Sequence, residues 1–276
     1  MSLNIDYWDK RRARIYSATG GWRVGDKVLS HGEDLLNDIL PRDRYFEHLL
    51  RVATGKSQKK ELARWVEAAF VSLSWPDPRI WCNTVGAFFG ELQTRPGAAT
   101  FMGALASDSV MYGGGAAKAL YDSVIRISNE LSKGASPQEL VSANLVQNGG
   151  HLKMMGFSRP LATGDERVPV LLRLARQLGL GGGLHENAIM RLNDYLAVDI
   201  GETLNVGGYI AVIMADEGIS KSAFYNLFSL CTMAGVLACY VDAKERPDHS
   251  LLPLRASDVV YTGERQRELP VRTLKT

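Results

Sequence analysis

Cysteine is scarce in this chain. Its 276 residues include only Cys82, Cys231 and Cys239, with no CxxC pair and no cysteine–histidine cluster. A sparse, odd, unpatterned set excludes a disulfide framework and suits a reducing compartment, so a cytoplasmic location is expected. Histidine is equally thin. His31, His48, His151, His185 and His249 show neither HExxH nor any other ligand spacing, and no metal is expected. Excess charge of one sign is also missing, since 32 Lys and Arg face 30 Asp and Glu for a net charge of +2. The one tight basic cluster, Lys10 to Arg14, reads as a solvated helix face and not as a nucleic-acid footprint. Met1 to Arg14 has no apolar core, so a signal peptide is not expected.

Nucleotide and hydrolase signatures are absent too. Tyr112-Gly113-Gly114-Gly115 lacks a GK[ST] ending, and Gly179 to Gly183 is followed by Leu184 where GxGxxG needs glycine. Both clusters read as helix caps and turns. There is no GxSxG nucleophile elbow. Long charge-free runs are limited to one, Ala223 to Val241, 19 residues flanked by Lys221 and Lys244. Its length approaches a bilayer span, but its polar residues and symmetric flanks favour a buried helix in a soluble core, with no membrane partner.

What is present is helical periodicity. Leu62, Trp65, Val66, Ala69, Phe70 and Leu73 form one apolar stripe, as do Leu120, Val124, Ile127 and Leu131. Ser136-Pro137-Gln138-Glu139 predicts a helix start with an N-cap, a first-turn proline and a capping-box glutamate. Helices are also predicted over Val170 to Leu178 and Glu186 to Leu196. No alternating run is long enough to promise a sheet. The expected class is all-α. Gly97 to Ala106 and Gly113 to Ala119 are rich in small residues that let helices approach closely, either within the subunit or at a subunit interface; the interface reading is preferred.

Gly156-Phe157-Ser158-Arg159-Pro160, followed by Gly164-Asp165-Glu166-Arg167-Val168-Pro169, resembles the GFGH and DPR signature of the citrate synthase and citryl-CoA lyase superfamily. Further pieces follow in that family's order. Leu29 to Leu40 resembles its early GYDIxxL segment, and Asp77-Pro78-Arg79 its PRDxS loop. Tyr112 to Ala116 stands at HGGA, Asn205 to Tyr209 at NVDxY, Gly235 to Asp242 at GWxAHxxE, and Tyr261-Thr262-Gly263 at the closing Y-[TV]-G.

This resemblance implies a citrate synthase-like homodimer. A large helical domain (1–115 and 209–276) would carry a smaller, coenzyme A-side helical domain (116–208), with the ligand in the cleft between them. It implies a coenzyme A thioester as ligand and a Claisen condensation or its reverse as the family chemistry. An aspartate removes a proton next to the thioester carbonyl, and two histidines donate to the oxygens that gain charge.

The family positions for those groups are occupied here by other residues. The two histidine positions hold Gly113 and Arg159, the aspartate position holds Gly207, and the AHxxE histidine and glutamate are Cys239 and Asp242; the lysine often found after GFGHxxxK corresponds to Thr163. Losing one such group costs roughly 10²–10⁴ in rate, so ordinary citrate synthase activity is not expected. The resemblance implies Arg255, near the family's arginine for a substrate carboxylate, and Arg272, at the arginine that crosses to the partner's site, as candidate substrate-binding residues, with Arg159 as a third, since arginine suits carboxylate recognition. Asp242, His151, Cys239 and His185 are the possible replacement bases. Three readings remain open. The first is a citrate synthase-like protein that binds an acyl-CoA or a carboxylate without the usual chemistry. The second is an active carbon–carbon bond-forming or lyase enzyme with relocated groups. The third is a non-catalytic partner subunit.

Overall fold

A computed structural model of the chain describes residues 5–109, 113–159, 162–247, 254–265 and 267. After a short helix α1 (Ile5–Asp9), three small strands β1 (Gly20–Arg23), β2 (Lys27–Ser30) and β3 (Glu33–Asp34) pair antiparallel in sequence order. The remainder is helical: α2 (Tyr45–Thr54), α3 (Lys60–Leu73), α4 (Trp81–Glu91), α5 (Pro96–Ser107), α6 (Ala117–Ser132), α7 (Pro137–Gln147), α8 (Arg167–Gln177), α9 (Leu184–Asp199), α10 (Val206–Asp216), α11 (Lys221–Phe228) and α12 (Met233–Lys244). The class is all-α, as the periodicity indicates. The small sheet was not expected, because strands of two to four residues are too short to display an alternation. It is fastened to α2 by ion pairs from the buried Arg51 to Glu33 and, at 2.9 Å, to Asp43.

The predicted stripes face inward. Leu62, Trp65, Val66 and Ala69 of α3 are buried, with Val124, Ile127 and Leu131 of α6, and α7 starts with the Ser136–Glu139 capping box. They join one apolar core that runs from Leu50 to Cys231 and wraps α10, whose residues Gly208 to Met214 are all buried. Trp65 carries its indole N–H into this core and satisfies it on the Leu171 carbonyl at 3.1 Å.

Beside that core, α4, α5 and α12 form a second helical layer. Gly86 and Gly90, one turn apart on α4, make it possible. A methyl group at Gly86 would lie 2.6 Å from the Val236 carbonyl oxygen, so α12 sits against bare backbone. Gly103 of α5 meets the Val236 side chain in the same way. Gly103 therefore serves packing within the subunit, while Gly97 at the start of α5 has nothing against it. The outer side of this layer leaves Phe88, Phe101, Leu105 and Leu237 exposed.

Ala223 to Val241 is not one buried helix. It breaks at Ser229 to Thr232 into α11, which packs on α2 and α6, and α12, which packs on α4 and α5. Groups outside the segment satisfy the break: Ser74 donates to the Cys231 carbonyl at 2.8 Å, and Thr232 and Ser107 share a hydroxyl contact at 3.1 Å. Asn226, Ala234, Leu237 and Val241 are exposed. By length and composition Lys221–Lys244 taken as one stretch could cross a membrane, but the break leaves helices of 8 and 12 residues.

Candidate functional site

The Gly156 to Arg159 segment and the Asn205 to Gly208 segment, 46 or more residues apart in sequence, lie side by side. Gly156 turns the chain with φ of 98°, and its Cα faces that of Gly208 so closely that a side chain at either position would strike the other strand. Phe157 bridges Leu204, the Ser158 N–H donates to the Thr203 carbonyl at 2.9 Å, and the Asn205 N–H donates to the Gly156 carbonyl at 2.9 Å. Asn205 does two further jobs. Its side-chain amide donates to the Ser158 carbonyl at 2.9 Å, and its side-chain oxygen caps α10 by accepting the Gly208 N–H at 2.9 Å.

Asp165 locks the following loop onto the same helix. Its side chain is fully buried and accepts from Arg167 Nε and Nη2 at 2.8 Å each and from the Val206 N–H at 2.8 Å. Burial opposes its charge, but the Arg167 hydrogen bonds, the Val206 N–H and the Arg167 charge outweigh that and hold its pKa below the usual 3.8. Arg167 then lies 4.9 Å from the centre of the Trp75 ring, with Arg159 6.0 Å from the same centre. Trp75 comes from the loop between α3 and α4 and marks where the second helical layer meets the site. Nothing in the local composition around Trp75 signals that two guanidinium groups converge on the ring.

Arg159 is bound through a single nitrogen. Its Nη1 donates to Glu166 at 2.6 Å and to the Gly164 carbonyl at 3.2 Å, and lies 3.9 Å from Asp165. In the first turn of α10, Gly207 has no side chain, and the space a Cβ would enter is taken by Leu120 of α6, whose Cδ1 would lie 3.0 Å away. The space beside Gly207 is therefore backed by hydrocarbon.

The other positions lie elsewhere. Gly113 has φ of 68°, and a Cβ there would collide with the Ser107 carbonyl, so a histidine does not fit this backbone. Cys239 is buried on α12 beside Ala87 and Ala243, with burial raising its thiol pKa. Asp242, exposed, pairs with Arg246 one turn along α12. His151 is an exposed loop residue, and the His185 N–H is capped by Asp216 at 2.9 Å. Arg255 is exposed on an arm whose residues 254–265 are all exposed; its N–H donates to the Asp258 carboxylate at 2.8 Å and its carbonyl accepts the Asp258 N–H at 3.0 Å. Arg272 lies outside the described residues. The segments that carry Arg159 and Gly207 lie side by side, and no described contact brings Cys239, Asp242 or Arg255 to them.

The second glycine cluster is a cap, as read. Gly182 and Gly183 fold around two carboxylates. The buried Glu186 accepts from the Gly182 N–H, Arg176 at 2.9 Å and the Tyr209 hydroxyl at 3.1 Å, while Asp216 caps α9. Among the described residues no group of three or more His, Cys, Asp or Glu side chains is arranged to hold a metal.

No family model and no curated protein sequence matches the chain. Solved structures do. Citryl-CoA lyase from Hydrogenobacter thermophilus is similar over 93% of this chain and 97% of its own, with a TM-score of 0.75 and 21% identity. ATP citrate lyase from Methanothrix soehngenii, in complex with citrate and coenzyme A, gives a TM-score of 0.75 at 17% identity over 96% of this chain, which spans only 45% of that enzyme. Citrate synthase from Thermoplasma acidophilum, in a ternary complex with carboxymethyl coenzyme A and oxaloacetate, gives 0.62 at 19% identity over 84% of this chain and 60% of its own.

Proposed function

We propose, from the fold this chain shares with citryl-CoA lyase and citrate synthase, that it binds an acyl-CoA or a polycarboxylate at the Arg159–Trp75 site without the family's Claisen chemistry. The similar structures contain citrate, coenzyme A and oxaloacetate in their complexes. The single observation that carries the reading is at Gly207 and Arg159. A half-buried guanidinium able to hold an anion lies on the segment that pairs with the start of α10, where Gly207 offers no base and Leu120 fills the space beside it. Proton abstraction from carbon needs a base within reach and a donor at the enolate oxygen together. Arg159 can serve as the donor. The nearby carboxylate of Asp165 is committed to Arg167 and Val206 and is not free to act as base.

The reading includes a cytoplasmic homodimer, with the ligand between residues 116–208 and the remainder of the chain. The exposed apolar side chains of α4, α5 and α12 support the dimer, because a soluble monomer rarely exposes such a set on one helical layer. Isothermal titration with coenzyme A, acetyl-CoA and citrate tests the ligand. Arg159→Ala is expected to weaken the anion that binds by about 10- to 100-fold, the worth of a charge-assisted hydrogen bond. Unchanged affinity in that variant, or no binding of any of the three, overturns the reading.

A further inference from the structure

Arg159 and Glu166 differ from the other ion pair in this loop. Asp165 is fully buried and its oxygens are filled by Arg167 and the Val206 N–H, so its partnership is permanent in the folded protein. Glu166 is the opposite. Its side chain is 62% exposed, and Arg159 is its only side-chain partner among the described residues. Arg159 itself is only 21% exposed and spends one nitrogen, Nη1, on both Glu166 and the Gly164 carbonyl. Its Nε and Nη2 have no recorded partner among the described residues. A guanidinium presents five N–H donors in a planar fork that fits a carboxylate or phosphate in two-point contact. A mostly sheltered cation with an unused edge is therefore held by a carboxylate that water can reach.

We infer that Glu166 is an internal counter-ion that occupies Arg159 when the site is empty, and that the anionic group of a ligand displaces it. This rests on the proposed anion site at Arg159 and adds its regulation: Glu166 sets the affinity. The carboxylate is covalently close, seven residues away in the chain, so it competes at a concentration no solution anion matches. An exposed pair of this kind is weak, and a ligand that neutralises the guanidinium in two-point geometry exchanges it for a stronger one. The apparent affinity of such a site is lowered by the fraction of molecules in which the arginine is already taken.

The test is isothermal titration of the full chain with citrate and, separately, with coenzyme A, for the native protein, Glu166→Gln, Arg159→Ala and the double variant. Gln keeps the shape and removes the charge. Glu166→Gln is expected to bind the citrate or the coenzyme A about three- to sixfold tighter, the effect of removing a competitor worth an ordinary exposed ion pair. In the Arg159→Ala background the same substitution is expected to change nothing. Tightening by citrate alone assigns the displaced group to a carboxylate ligand, and tightening by coenzyme A alone to a phosphate. If the native protein binds and Arg159→Ala loses it while Glu166→Gln is unchanged or weaker, the counter-ion inference is wrong and the anion site stands. If Glu166→Gln tightens binding equally without Arg159, the inference is also wrong, since the effect is then general charge. No binding by any form removes the anion site and the inference together. Far-UV circular dichroism of each variant, matching the native helical signal, separates these outcomes from misfolding.

Discussion

The Asp165 carboxylate accepts the Val206 backbone N–H at 2.8 Å, so a loop acid satisfies one of the free donors in the first turn of α10. The same side chain holds Arg167, and through it the loop rests against Trp75. This one buried acid therefore ties the loop to α10, with Arg159 Nη1 3.9 Å from it.

Replacing it is expected to be costly. Asp165→Asn leaves Arg167 partly sheltered without its counter-charge and should destabilise the protein by about 2–4 kcal/mol in urea unfolding. The acid limb reports the same group. A carboxyl whose folded pKa is depressed contributes stability above its unfolded value, near 3.8, and loses it as pH falls through the folded one. The native protein should lose stability below pH 3.8, and Asp165→Asn should flatten that limb. An unchanged limb would show that Asp165 is not the group responsible.

Restoring an aspartate at Gly207 is not expected to restore chemistry. The new Cβ would lie 3.0 Å from Leu120 Cδ1 and 3.4 Å from the Asn205 side-chain oxygen, so the carboxylate meets hydrocarbon and a like partial charge. Gly207→Asp should lower stability by about 1–3 kcal/mol, and Gly207→Asp with Leu120→Ala should recover part of that loss. Thermal unfolding of the two variants checks it; a stable, unperturbed Gly207→Asp would mean that the space behind Gly207 is open.

Much of this was legible beforehand. The stripes of α3 and α6 and the capping box of α7 have a period that one residue after another repeats, and each appears where the sequence puts it. The segments around Phe157 and Val206, which the sequence resemblance singled out, also meet in space. What was not legible depends on distant partners. The break at Ser229 to Thr232 depends on hydroxyls from Ser74 and Ser107, and the role of Trp75 depends on two arginines more than eighty residues away. Neither leaves a local pattern.

The second layer predicts the oligomer. Light scattering should give twice the chain mass of 30.3 kDa at micromolar concentration. Phe101→Glu and Leu105→Glu, which place charge on the exposed side of α5, should shift the protein toward 30.3 kDa without loss of helix. A native protein already at the monomer mass would remove the dimer.

The thiols should be silent. Burial raises all three, Cys231 most, up to about 12, so thiolate is nearly absent at neutral pH. A thiol-reactive disulfide reagent should label none of them in native buffer within minutes and all three in guanidinium chloride. Rapid native labelling of Cys239 would instead mark it as a reactive residue.

The central claim is that the site binds without enolising, and hydrogen exchange at carbon reads it most directly. Acetyl-CoA is incubated with the protein in heavy water, with and without oxaloacetate, and deuterium in the acetyl methyl is followed by mass spectrometry against buffer. With no side chain at Gly207 and Leu120 beside it, incorporation is expected at the buffer rate. Incorporation above that rate, lost in Arg159→Ala, would show a working base near Arg159 and contradict the account.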